Sequence, residues 1–157
     1  MKILITGGAG FIGNTLVRNL LLSTDHEIIN LDKLGYASDL IAIDQLLSTS
    51  TNYSKRYKFL KVNLSNIEDT RMAIKLSDPD LVFNLAAETH VDRSIYAPDS
   101  FIESNIIGTY NLLKSILAHW EKLPNERKNN FKLLHVSTDE VFGSLGESGL
   151  FTEESNY

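Results

Sequence analysis

Thr6-Gly7-Gly8-Ala9-Gly10-Phe11-Ile12-Gly13 decides how the rest of the chain is read. The octapeptide follows the apolar run Ile3-Leu4-Ile5 and leads into Phe11, Ile12, Leu16, Val17 and Leu20, which recur at helical spacing. A strand, a glycine turn and a helix therefore follow one another at the N-terminus. Glycine lets the backbone turn sharply and come close to a ligand, and the start of a helix presents N–H groups and a positive dipole end to an anion. In that setting, Gly7, Gly10 and Gly13 form a dinucleotide-binding turn. The alternative is a glycine-rich turn between strand and helix with no ligand.

A second element supports the first reading. Asp32 ends the apolar run Ile28-Ile29-Asn30-Leu31, at the distance from the last glycine where a dinucleotide fold places an acid. An acid there accepts bonds from the ribose hydroxyls of NAD and repels the 2′-phosphate of NADP. Lys33 works against that preference, because a cation could meet a 2′-phosphate.

Composition narrows the class. The chain has 157 residues, of which 43% are hydrophobic and 22% charged, enough apolar material for one domain with a real core. A net charge of −5 argues against a broad nucleic-acid surface. No apolar run is long enough to span a membrane, and Ile3–Ile5 is too short for a signal peptide. The chain contains no cysteine, which removes disulfides, cysteine nucleophiles and thiolate metal sites; no metal site is expected. These features are those of a soluble cytoplasmic protein.

Strand and helix patterns alternate along the chain. Strands are expected at Lys2–Thr6, Glu27–Leu31, Tyr57–Val62, Leu81–Leu85 and Lys132–Val136. Helices are expected at Phe11–Leu22, at Asp39–Leu47, and from a Ser65/Glu68 capping box to about Leu76. A long helix opens at Pro98-Asp99-Ser100, with Ser100 and Glu103 as a second capping box. It carries the stripe Phe101, Ile102, Ile106, Tyr110, Leu113, Leu117 and Trp120. Ser48–Ser54, Lys122–Asn130 and the residues from Gly143 onward read as loop. The expected fold is α/β, a doubly wound parallel sheet of the Rossmann type with helices on both faces. Ligands of such sheets lie beyond the carboxyl ends of the strands.

Two of those strand ends carry chemistry. Ala86, Ala87, Glu88, Thr89, His90, Asp92 and Arg93 follow the fourth strand. The small pair lets a flat ligand approach, and the polar cluster can hold a substrate; a solvated loop with an Asp92–Arg93 pair is equally compatible. Ser137-Thr138-Asp139-Glu140 follows the fifth strand. Adjacent carboxylates can supply a general acid and a general base, but Thr, Asp and Glu also favour a helix N-terminus. His135 reads as a core residue of the strand.

Taken together, Thr6–Gly13, Asp32-Lys33-Leu34, Asn84–Ile95, Asn105 with Gly108-Thr109, and Ser137–Gly143 resemble the extended short-chain dehydrogenase/reductases. Within them the chain is most similar to the dTDP-glucose 4,6-dehydratases, and the likeness runs over essentially its whole length. Asp139-Glu140 is the discriminating motif: sugar epimerases of the superfamily lack the pair, and related dehydratases and decarboxylases usually carry only the glutamate. The resemblance implies tightly bound NAD and a nucleotide-sugar substrate. It implies that Glu140 removes the C5 proton, Asp139 protonates the departing C6 hydroxyl, and Thr138 hydrogen-bonds the C4 oxygen. It places cofactor contacts at Gly7, Gly10, Phe11, Ile12, Gly13, Asp32, Lys33, Leu34, Gly35, Asn63, Leu64, Leu85, Ala86, Ala87, Glu88, Thr89 and Ser104. Substrate contacts fall at Thr89, His90 and Thr138. Asn105 and Thr109 follow a helix pattern shared by the superfamily, for which packing is at least as good a reason.

The chain departs from the pattern at two points. Asn63 stands where the family usually has aspartate, and its side-chain carbonyl can still accept a bond from adenine. No Tyr-x-x-x-Lys follows Glu140. The resemblance therefore implies that residues 1–157 are the N-terminal, NAD-binding part of a longer enzyme, without its C-terminal sugar-nucleotide domain and inactive alone. It also implies a homodimer in the full-length enzyme, with the Phe101–Trp120 face uncovered here. Another NDP-sugar 4,6-dehydratase, or a non-catalytic nucleotide-binding module, fits the same residues.

Overall fold

Five short apolar strands separated by helices can bury both faces of a sheet only if the helices divide between them. That arrangement is found in the computed structural model, which describes residues 1–157. The strands are β1 (Lys2–Thr6), β2 (Glu27–Asp32), β3 (Tyr57–Lys61), β4 (Leu81–Asn84) and β5 (Lys132–His135). They form one sheet in the order β3-β2-β1-β4-β5, with every neighbouring pair parallel. β1 lies at the centre, with Ile3 opposite Ile28 on one side and Leu81 on the other. The chain winds outward from β1 to β3, then crosses to β4 and winds outward the other way. This reversal between β1 and β4 opens a crevice at the carboxyl ends of the strands.

Period-two alternation sends Leu4 to one face and Ile3 and Ile5 to the other. Leu4, Ile29, Leu31 and Val82 pack with Ala73 and Ile74 of α4 (Ile67–Ser77) and with Leu112 and Ile116 of α7 (Thr109–Trp120). On the opposite face, Ile3, Ile5 and Ile28 pack with Val17 and Leu21 of α1 (Phe11–Ser23) and Ile43 of α2 (Ile41–Thr49). The sheet is doubly wound, as the alternation predicts.

Several local expectations are corrected. The expected loops contain α3 (Thr51–Arg56) and α8 (Asn125–Asn130). Neither has an apolar stripe; each is anchored by one arginine. Arg56 donates to the carbonyls of Leu21, Thr24 and His26. Arg127 bonds the carboxylates of Asp78 and Asp80. α5 (Val91–Tyr96) forms within the polar run after β4. α4 is capped by Asn66, whose side chain accepts from Glu68 N and Asp69 N at 3.0 and 3.2 Å, so Ser65 is not its cap. Ser100 caps nothing either; it lies inside α6 (Pro98–Phe101) and donates to the carbonyl of Ala97.

The long helix is not uniformly α. α6 runs into a π-helical segment at Ile102–Gly108 and then into α7. Its buried face carries Gly108, Asn111, Leu112, Ser115 and Ile116. Most of the expected apolar stripe, including Ile106, Tyr110, Leu113 and Leu117, faces outward. His135 is also exposed rather than in the core, because β5 is an edge strand whose neighbours Leu134 and Val136 are likewise uncovered. Its Nδ1 lies 2.8 Å from Asn84 Nδ2.

Asp78 ends α4 in the left-handed conformation, at φ 44°. Burial pushes its carboxyl pKa up, but hydrogen bonds and charge from Arg127 and Lys2 outweigh that and hold it below the usual value. The ionised form is therefore the one that folding favours. Its contribution is present above the ordinary carboxyl pKa of 3.8 and is lost as pH falls through the lower folded value. Asp78→Asn, which tolerates the same backbone, is expected to lower the urea midpoint at neutral pH. The loss is on the order of 1 kcal/mol or less, because the carboxylate is largely solvated. The difference from wild type should close below pH 3.8; a gap that stays constant through that window would contradict the assignment.

Candidate functional site

The turn after β1 is built on close backbone contacts. Gly7 has φ 71°, and a Cβ there would lie 2.7 Å from the carbonyl carbon of Leu85 and the nitrogen of Ala86. The ends of β1 and β4 thus touch backbone to backbone. A Cβ on Gly13 would collide with the Gly7 carbonyl oxygen and lie 2.7 Å from Gly8 Cα. The first turn of α1 therefore rests directly on the end of the strand. Gly10 is the N-cap of α1, and no side chain caps the helix. Its first N–H groups therefore have no side-chain acceptor, the condition under which a helix start can receive an anion. Below Gly8 lies the buried Asn30, whose Nδ2 donates to the Tyr57 hydroxyl at 3.0 Å. Burial, more than any neighbouring charge, pushes the Tyr57 hydroxyl pKa up.

Asp32 holds this turn to the next loop. Its carboxylate is buried and accepts from Ala9 N at 3.1 Å, Leu34 N at 2.8 Å and Ser38 Oγ at 3.0 Å. A carboxylate has about four lone-pair sites, so roughly one remains for a ligand hydroxyl. The sequence points to Asp32 as a ribose acceptor; the structure adds that it organises the loops around it. Leu34 takes a positive φ of 58° in this loop.

The opposite wall is the segment after β4. Asn105 sits on the π-helical segment and clamps residue 88 twice: Glu88 N donates to Asn105 Oδ1 at 2.8 Å, and Asn105 Nδ2 donates to Glu88 O at 2.9 Å. The two walls are bridged by the ion pair of Lys33 with Glu88 at 2.7 Å. Farther out, the Arg93 guanidinium lies 3.7 Å from the centre of the Tyr36 ring, a cation–π distance.

One cleft gathers most of the residues singled out in the sequence. It is lined by Gly7, Gly10, Asp32, Lys33, Gly35, Asn63, Leu64, Leu85, Ala86, Ala87, Glu88 and Ser104. Gly13 is buried beneath the turn, and Phe11 and Ile12 are exposed at the start of α1. Leu34, Thr89 and His90 are exposed and lie outside the lining. Asn63 is exposed, and its Oδ1 accepts from Ser65 N at 3.1 Å. Leu31, Tyr36, Ala37, Ser38 and Val62 also line the cleft, and none is among the expected contacts. Leu31 and Val62 belong to expected strands, and the loop carrying Tyr36, Ala37 and Ser38 has no periodicity to mark it; only Ser38 had a possible cue, a hydroxyl shortly after the strand-end acid.

Thr138, Asp139 and Glu140 follow β5 at the same edge of the sheet, outside that cleft. Asp139–Phe142 is a 3-10 helical turn, and the Thr138 side chain accepts from Glu140 N at 3.3 Å. Thr138 Oγ1 lies 3.4 Å from Asp139 Oδ1. The turn thus has the cap that the sequence allowed as an alternative, and it leaves both carboxylates exposed.

Residues 4–157 match the family described as GDP-mannose 4,6-dehydratase. The chain belongs to this family. Relatives of this GDP-mannose 4,6-dehydratase family include the probable dTDP-glucose 4,6-dehydratase of Sinorhizobium fredii (strain NBRC 101917 / NGR234). It is 45% identical over 157 residues, a match spanning 100% of this chain and 43% of that protein. Among solved structures, the dTDP-glucose 4,6-dehydratase of Bacillus anthracis in complex with NAD matches with a TM-score of 0.75 and 38% identity. The match covers 99% of this chain and 43% of that one. DesIV, the dTDP-glucose 4,6-dehydratase of Streptomyces venezuelae, solved with NAD bound, gives a TM-score of 0.79 at 35% identity, over 99% of this chain and 45% of that one. The chain spans less than half the length of these relatives.

The glycines differ in what they tolerate. Gly7→Ala is expected to cost about 1–3 kcal/mol, because it combines a positive φ with a backbone clash. Gly10→Ala should cost less, since its added carbon meets only the Gly7 carbonyl oxygen at 3.3 Å. Urea denaturation of the two variants measures the order, and equal midpoints would contradict the packing described.

Proposed function

We propose that residues 1–157 form the NAD-binding domain of a dTDP-glucose 4,6-dehydratase, which converts dTDP-glucose to dTDP-4-keto-6-deoxyglucose with loss of water. The observation that carries this reading is the acid pair Asp139-Glu140, on a turn at the same sheet edge as the glycine turn. The cleft fits a dinucleotide: Gly7 and Gly10 line it without a side chain, and the start of α1 has no side-chain cap. In this reading a C-terminal sugar-nucleotide domain completes the enzyme, consistent with the share of its relatives that the chain spans.

Each residue then has a physical task. Gly7, Gly10, Gly13, Phe11 and Ile12 bring the backbone and helix start to the pyrophosphate. Asp32–Gly35 hold the adenosine ribose, with Asn63 and Leu64 beside the adenine. Leu85–Glu88 and Ser104 form the opposite wall, with Thr89 just after it in the chain. A bound NAD would supply the redox chemistry, oxidation at C4 and return of the electrons at C6. The 4-keto group acidifies the C5 proton; Glu140 removes it and returns a proton to C5 when C6 is reduced. Asp139 protonates the C6 hydroxyl, which leaves as water, so elimination has a base and an acid for adjacent carbons. Thr138 hydrogen-bonds the C4 oxygen, and Thr89 and His90 border the sugar. This is lyase chemistry on charged nucleotides, and we assign the protein to the cytoplasm on that ground.

The test uses full-length protein containing these residues. Glu140→Gln is expected to slow formation of the 4-keto sugar roughly 10²–10⁴-fold; turnover within about threefold of wild type would remove Glu140 from the mechanism. Residues 1–157 alone should convert no dTDP-glucose, and measurable conversion would contradict the domain assignment. We also assign the outward stripe Ile106, Tyr110, Leu113 and Leu117 to a homodimer contact, because its large apolar side chains are exposed. Leu113→Glu should shift the sedimentation of the full-length protein from dimer to monomer; an unchanged dimer would rule this face out.

A further inference from the structure

The Lys33–Glu88 ion pair joins the two walls of the cleft where a dinucleotide would place its adenosine ribose. We infer that Glu88 is a specificity-determining residue: by holding Lys33 it denies a 2′-phosphate the one cation in the cleft lining, and so favours NAD over NADP. This rests on the dinucleotide reading of the cleft.

Lys33 alone would point the other way, since a lysine beside the ribose acid is a ready partner for a 2′-phosphate. The structure removes that partner. Lys33 Nζ lies 2.7 Å from Glu88 Oε1, with the side chains 35% and 12% exposed. Partial burial weakens solvent screening of the pair. Both ends are anchored. Glu88 is fixed by two backbone bonds to Asn105, and Lys33 adjoins Asp32, whose carboxylate accepts three bonds from protein donors. The backbones that carry the pair are therefore held at a fixed separation across the cleft. Asn105 reaches residue 88 from a π-helical segment, a distortion that recurs at functional sites.

Charge completes the argument. Lys33 is the only cationic residue in the lining, beside two acids, Asp32 and Glu88. A 2′-phosphate entering there meets net negative charge in a lining whose one cation is already paired, and Arg93, outside the lining, is engaged over the Tyr36 ring. Neutralising Glu88 removes one repulsive charge and releases Lys33.

Binding, not turnover, tests this. Dissociation constants of NADH and NADPH are measured by fluorescence on full-length protein, for wild type, Glu88→Gln, Lys33→Gln and the double variant. Glu88→Gln should lower the NADPH-to-NADH ratio of dissociation constants about tenfold, the scale of one charge-assisted hydrogen bond. Most of that gain should disappear in the double variant. Lys33→Gln alone should leave the ratio within about twofold, because its cation is already engaged. The inference is overturned if NADH still binds and Glu88→Gln leaves the ratio unchanged, or if the double variant keeps the whole gain. It is also overturned if Lys33→Gln selectively weakens NADPH, an outcome that does not depend on the Glu88 variant folding. Failure of the wild type to bind either nucleotide would sink the dinucleotide reading and this inference together.

Discussion

The carboxylate of Asp32 is the junction on which the candidate site depends. It accepts from the turn after β1 through Ala9 and from the loop after β2 through Leu34 and Ser38. Its own carbonyl oxygen receives Val62 N from the end of β3 at 3.1 Å. Three strand ends are therefore held at one residue. Charge-assisted hydrogen bonds of this kind are stronger than neutral ones, and burial raises the cost of breaking them. The unusual backbone of Leu34 persists because its amide is tied to this carboxylate.

Close packing sets the second constraint. The strand ends at Gly7 and Leu85-Ala86 leave no room for a Cβ, and α1 seats on the Gly7 carbonyl through Gly13. These contacts aim the start of α1 at the crevice formed where strand order reverses. The same sheet edge presents Thr138–Glu140 after β5, so the glycine turn and an acid pair share one side of the molecule. The two apolar clusters on opposite faces of the sheet supply the stiffness that keeps these loops in place.

The sheet was legible because its information is periodic and local. Ile3-Leu4-Ile5, Ile28–Leu31 and the apolar stripes of the helices announce strand and helix before any contact is known. The glycine turn and Asp32 were legible because each answers to a position-specific requirement. α3 and α8 were not, since polar segments become helical there only when Arg56 and Arg127 reach carbonyls and carboxylates distant in sequence. The π-helical register at Ile102–Gly108 and the clamp from Asn105 onto residue 88 are likewise products of the packed fold. His135 misled because a strand pattern does not say whether its strand is central or at an edge. Many of the residues singled out in the sequence line one cleft, while its organising bonds, Ser38 to Asp32 and Lys33 to Glu88, lie in aperiodic loops where sequence carries no comparable signal.

The central claim is that a dinucleotide lies across the crevice between the ends of β1 and β4. Amide hydrogen exchange of the protein with and without NAD tests it most directly. Added protection is predicted at the Gly7–Ile12 turn, at Lys33–Gly35, at Ala86–Thr89 and at Ser104, with little change at α3 and α8. Protection confined to other segments, or none with saturating NAD, would contradict the account.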